Sequence, residues 1–111
     1  MQATIYHNPR CSKSRAALAL LRAADADVTI VEYLKTPPDR TTLAALLARG
    51  GLGPRDVLRR TEPGAAALTG ADDAAILDAM LADPILMERP LVATARGVVL
   101  ARPPERVADI L

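Results

Sequence analysis

The chain contains no phenylalanine or tryptophan, and among its 111 residues it has two tyrosines, one histidine and one cysteine. With so few aromatics, the core must be aliphatic, built mainly from Ala, Leu and Val. A lone cysteine cannot close an internal disulfide, and one cysteine with one histidine does not make the four-ligand set of a closed metal site, so no bound metal is expected. Excess charge of one sign is also missing. The net charge is +1 at pH 7, which argues against duplex DNA or an anionic membrane as a bulk electrostatic partner. Lysine occurs only at positions 13 and 35, and the arginine richness alone points to no function. No apolar run approaches the roughly 20 residues of a membrane span, and the N-terminus lacks the sections of a secretory signal. An unpaired cysteine fits a reducing compartment, so the expected location is cytoplasmic. At this length one domain, residues 1–111, is expected, large enough to bury a core without disulfides.

Hydrophobic periodicity orders the segments. Residues 3–6 alternate like a strand that Asn8-Pro9 breaks, and a helix follows from Cys11 or Ser12 to about residue 24, with Leu18 and Leu21 on its apolar face. The β-branched run at 28–33 predicts a second strand, so the first third reads β-α-β with a right-handed crossover. A helical insertion is expected at about 37–84. It comprises a helix carrying Leu43, Leu46 and Leu47 that ends at Gly50-Gly51, a short helix over 54–59, a loop over 61–70 and a helix from Asp72 or Asp73. Residues 88–94 lead into a third strand, Ala95-Arg96-Gly97 signals a hairpin, 98–101 form a fourth strand, and a C-terminal helix starts at about 102–105. This order is that of an α/β, thioredoxin-like fold: a four-stranded mixed sheet with the insertion between strands two and three. Such a fold places a cis proline, here Pro90, against the cysteine of its first helix.

Chemistry concentrates in His7-Asn8-Pro9-Arg10-Cys11-Ser12-Lys13-Ser14-Arg15. A thiol at a helix N-terminus gains from unpaired N–H donors and the positive end of the dipole, and nearby cations lower its pKa further. Arg10, Lys13, Arg15 and His7 are candidate contributors, and Ser14 is placed to donate its hydroxyl to the sulfur. His7 orients or ionises Cys11, or holds the backbone of its loop, while Asn8-Pro9 shapes the turn. A buried structural cysteine is the commoner fate of a lone Cys, but polar and charged flanks argue against it here. The same N–H groups make an anion cradle over the sulfur, and planar guanidinium groups suit the remaining oxygens of a tetrahedral oxyanion. Arg59 or Arg60, Arg89 and Arg102 are the candidates, with Arg89 favoured because it precedes Pro90.

These blocks, with Tyr33-Leu34, Thr36-Pro37-Pro38, Val57-Leu58-Arg59-Arg60, Pro84-Ile85-Leu86-Met87-Glu88-Arg89-Pro90-Leu91-Val92 and Arg102-Pro103-Pro104, resemble the glutaredoxin-coupled arsenate reductase family from residue 3 to 111. The flank of Cys11 and the end at Leu111 are closer to the short, chromosomally encoded arsenate-reductase-like branch than to the resistance enzymes. The resemblance implies that Cys11 forms a thiol-arsenate adduct, that Arg59, Arg89 and Arg102 hold arsenate, and that His7 lowers the cysteine pKa. It further implies that glutathione as co-substrate and glutaredoxin as partner complete the cycle, with no bound cofactor. The competing expectations are a thiol-redox protein of the same fold and a polymerase-binding regulator like the Spx proteins. Those regulators often carry Cys-x-x-Cys, whereas position 14 here is serine.

Overall fold

The computed structural model describes residues 1–111. Strand β1 (Gln2–Tyr6) is followed by helix α1 (Ser12–Ala23), strand β2 (Asp27–Val31), helices α2 (Arg40–Arg49) and α3 (Asp73–Ala82), and strands β3 (Leu91–Thr94) and β4 (Gly97–Leu100). The sheet order is β2-β1-β3-β4, with β1 parallel to β2 and the other neighbours antiparallel. This is the expected thioredoxin-like α/β arrangement, with the helical insertion between β2 and β3. No helix is long and apolar enough to cross a membrane.

The period-two alternation of β1, β3 and β4 creates two cores. On one face Ala3, Ile5, Val92 and Val99 pack with Ala17, Leu18 and Leu21 of α1 and with Val107 and Ile110 of the C-terminal segment. On the other face Tyr6, Leu91, Ala93 and Val98 meet the insertion, including Leu43, Leu47, Val57, Ile76 and Met80. Each fully buried Leu, Ile or Met contributes about 1.5–3 kcal/mol, so the sheet is held from both sides. The close approach of α2 to β4 requires Gly50, where a Cβ would lie 2.8 Å from the Val98 carbonyl oxygen. Gly51 then takes φ +65 and ends the helical path.

Several segments depart from the sequence expectation. β2 stops at Val31, short of residue 33, because the Glu32 carbonyl accepts the N–H groups of Lys35 and Thr36, both at 2.9 Å. That turn swings Tyr33 inward, to 1% exposure, and leaves Leu34 outside. The expected loop over 61–70 contains a 3-10 helix, Pro63–Leu68. The short helix expected over 54–59 is a 3-10 turn, Pro54–Val57, and the C-terminal helix is also 3-10, Pro104–Ile110. Each of these begins on a proline, whose missing N–H and fixed φ suit a first turn.

Both helices of the insertion start on an aspartate that accepts the N–H three residues on, Asp39 from Thr42 and Asp72 from Ala75, each at 2.8 Å. Asp72→Ala is expected to lower folding stability by about 1 kcal/mol, read as a lower urea midpoint at unchanged slope.

Candidate active site

The loop between β1 and α1 is tied at both ends. His7 N–H donates to the Val31 carbonyl at 2.8 Å, prolonging the β1–β2 pairing by one bond. Cys11 N–H donates to the Asn8 carbonyl at 3.0 Å, Asn8 Oδ1 accepts the Arg10 N–H, and the Cys11 carbonyl accepts the Arg15 N–H. Cys11 is thereby the N-cap residue of α1, with extended φ −92 and ψ 122. The residue is 8% exposed.

Burial by itself pushes the Cys11 thiol pKa up. The nearby Ser14 backbone N–H, the Arg89 charge, the Lys13 N–H and the Arg89 guanidinium as a neighbouring donor together outweigh it, so the pKa lies below the ordinary thiol value. The helix N-terminus acts as the sequence predicts. The cation does not come from the local flank, because Arg10, Lys13 and Arg15 are exposed and the Arg15 guanidinium donates to the Pro9 carbonyl.

Ser14 also differs from expectation. Its hydroxyl does not serve the sulfur. It lies 2.6 Å from His7 Nδ1 and accepts the Asn8 N–H at 3.1 Å, wholly buried. The pattern that satisfies all three groups has Ser14 O–H donating to Nδ1, with the imidazole proton on Nε2. A neutral ring agrees with the His7 pKa, which burial lowers, Glu32 raises and Arg22 and Arg15 lower. His7 therefore holds the loop through Ser14, the third of its anticipated roles, and is absent from the groups that ionise Cys11. An imidazole harder to protonate when folded loses stability as the pH falls through the ordinary histidine range, since protons then favour the unfolded chain. Ser14→Ala strips partners from His7 Nδ1 and the Asn8 N–H, and a loss of about 1–3 kcal/mol is expected in urea unfolding at neutral pH.

The arginines arrive from two distant segments. The Arg89–Pro90 and Arg102–Pro103 peptide bonds flank the β3–β4 hairpin, and both are cis; the sequence points to the first alone. Arg102 Nη1 donates to the Arg89 carbonyl at 3.0 Å. Glu88 joins the pair, its Oε1 2.9 Å from Arg89 Nη1 and its Oε2 3.6 Å from Arg102 Nε. Arg59 is brought in by two backbone bonds between strand-like segments, Arg59 N–H to the Leu86 carbonyl and Glu88 N–H to the Val57 carbonyl, each 2.7 Å. Leu58 stands opposite Met87 in this bridge. Arg59 Nη1 lies 3.4 Å from Glu62. Arg60 is exposed and lines a separate depression with Arg55, Leu58 and Thr69. Of the two neighbours, Arg59 is the one on the Tyr33 side.

Sequence reasoning passed over three members of this group. Glu88 and Glu62 are counter-ions that only the tertiary pairing reveals. Tyr33 is the third: Arg89, Arg59, Asn8 and Cys11 all act on its phenol. The three buried side-chain polar atoms with no hydrogen-bond partner are Tyr33 Oη, Arg59 Nε and Arg89 Nε. All belong to this one cluster, where buried donors ordinarily find partners.

Comparison with known proteins places the chain in context. The ArsC family model matches residues 6–110. An arsenate reductase of Rhizobium meliloti (strain 1021) is 47% identical over 115 residues, covering 100% of this chain and 82% of that protein. An arsenate reductase of Escherichia coli is 43% identical, over 97% of this chain and 79% of the relative. The solved arsenate reductase from Vibrio cholerae superposes with a TM-score of 0.93 at 38% identity, covering 100% of this chain and 98% of that one.

Proposed function

The chain belongs to the ArsC family, and from that premise we propose that it is an arsenate reductase that works through Cys11 and draws its second thiol from glutathione. The observation that carries this reading is the set of buried, unpaired donors on Arg59, Arg89 and Tyr33, in which both arginines act on the Tyr33 phenol and Arg89 acts also on a thiol held below its ordinary pKa. Donors so placed suit an anion that approaches the sulfur.

The Cys11 thiolate attacks arsenic(V), forming an S–As bond as the bond from arsenic to one arsenate hydroxyl breaks, and that hydroxyl takes up a proton and leaves as water. Arg89 holds the thiolate and, with Arg59 and Arg102, the arsenate oxygens. Glutathione thiolate then attacks the adduct. The Cys11–glutathione S–S bond forms as the S–As bond breaks, and the S–As electron pair stays on arsenic, which becomes arsenic(III). Glutaredoxin removes the glutathionyl group and arsenite leaves. Two electrons are what two thiols release, so the cycle uses no prosthetic group. The chain has no second cysteine to supply the other thiol.

The test is arsenite formation by the wild-type chain with glutathione, glutaredoxin and NADPH-linked recycling. Turnover that depends on all three supports the reading. No arsenite at millimolar arsenate would rule it out.

A further inference from the structure

We propose that the Tyr33 hydroxyl is an uncharged ligand of the bound oxyanion, donating a hydrogen bond to one of its oxygens beside the arginines. The inference rests on the arsenate reductase reading for the anion's name, but not for the existence of an oxyanion subsite.

Tyr33 is 1% exposed and packed in the core cluster that includes Leu43, Val57 and Met87, so its ring is fixed. A phenylalanine would fill nearly the same space. The hydroxyl adds only a polar group that, in the folded chain, has no partner, and such a group destabilises unless something it binds makes up the loss. The groups around it show what that ligand must be. Arg89 and Arg59 are cationic and Asn8 acts on the phenolic oxygen as a donor, without reaching hydrogen-bond geometry. Cys11 acts on the phenol through charge alone and makes no hydrogen bond with it, so the phenolic proton is left for an incoming acceptor. Burial raises the Tyr33 pKa, so the phenol keeps that proton at neutral pH. An oxyanion held by Arg89 and Arg59 brings acceptor oxygens to this place. The phenol adds a donor without adding a charge.

Tyr33→Phe tests the assignment by three readings. Arsenate and phosphate binding is measured in the Cys11→Ser background with and without the tyrosine change. The dissociation constants are expected to rise about 10- to 100-fold, the worth of one hydrogen bond to a charged group, and kcat/KM for arsenate should fall by a similar factor. The thermal midpoint is expected to stay or rise, and the pH profile of Cys11 alkylation to stay unchanged, because the hydroxyl supports neither the fold nor the thiolate. Dissociation constants within about two-fold of the parent would overturn the proposal. So would a lowered thermal midpoint, which would show the hydroxyl satisfied within the fold. If wild-type protein forms no arsenite while Tyr33→Phe still weakens phosphate and arsenate binding, the named reaction falls and the Tyr33 assignment stands.

Discussion

Cys11→Ser is expected to reduce arsenite formation to background, a loss of at least about 10⁴-fold, as for removal of a nucleophile that acts as part of a unit. Two separate deficits lead there. A serine hydroxyl is not ionised by the Ser14 and Lys13 N–H groups and one guanidinium, so no nucleophile forms. Oxygen in place of sulfur also cannot give up electrons by joining glutathione, so arsenic(V) would have no reductant within the adduct. The fold should be untouched, because the swap is nearly isosteric at a residue 8% exposed. The measurement is NADPH oxidation in the coupled assay, with arsenite quantified directly and far-ultraviolet circular dichroism as the fold control. Turnover above about one per cent of wild type would remove Cys11 from the reaction.

Arg89→Ala should give the second-largest effect, a fall in kcat/KM of about 10²- to 10³-fold. The guanidinium acts on the sulfur as a charge and as a nearby donor. Without it, the upward push of burial meets only the two backbone N–H groups, and the Cys11 pKa should move up. Less thiolate would then be present at neutral pH, and reactivity would recover as the pH is raised. The loss of an oxyanion ligand would not recover. Alkylation of Cys11 across a pH range isolates the first effect, and arsenate turnover at high pH isolates the second. Turnover is expected to suffer far more than glutathionylation; equal losses would count against Arg89 as an oxyanion ligand.

The position of the thiol was legible because it depends on local signals: a strand, a breaking Asn8-Pro9, and an apolar helical period that starts just after Cys11. Its electrostatics were not. Arg10, Lys13 and Arg15 are neighbours in sequence, yet their side chains are exposed, while the cation that acts on the sulfur is Arg89. Ser14 illustrates the same limit. Its place one turn into α1 was readable, but the 2.6 Å contact with His7 depends on how the end of β1 lies over the helix. By sequence Tyr33 is the last residue of a strand, since its chemistry suits one. The turn closed by the Glu32 carbonyl won instead, and only that turn aims the phenol into the site. Arg59 could not be told from Arg60 by composition. The bridge that pairs Leu58 with Met87 separates them, because adjacent residues on an extended segment point to opposite sides.

The β3–β4 hairpin has a consequence for how this chain can vary. Thr94 pairs with Gly97 and Leu91 with Leu100, so Arg89 and Arg102 lie two residues beyond the matched ends of a ladder whose count starts at the tip. The tip, Ala95-Arg96, is at the opposite end of these strands from the sulfur. Residues inserted there lengthen the turn and leave the ladder intact. A residue gained or lost within β3 or β4 slips the register and turns alternate side chains to the other face, carrying Arg102 away from Arg89. The evolutionary latitude of the hairpin is therefore lopsided: its length can grow at the tip and is closed along the two strands.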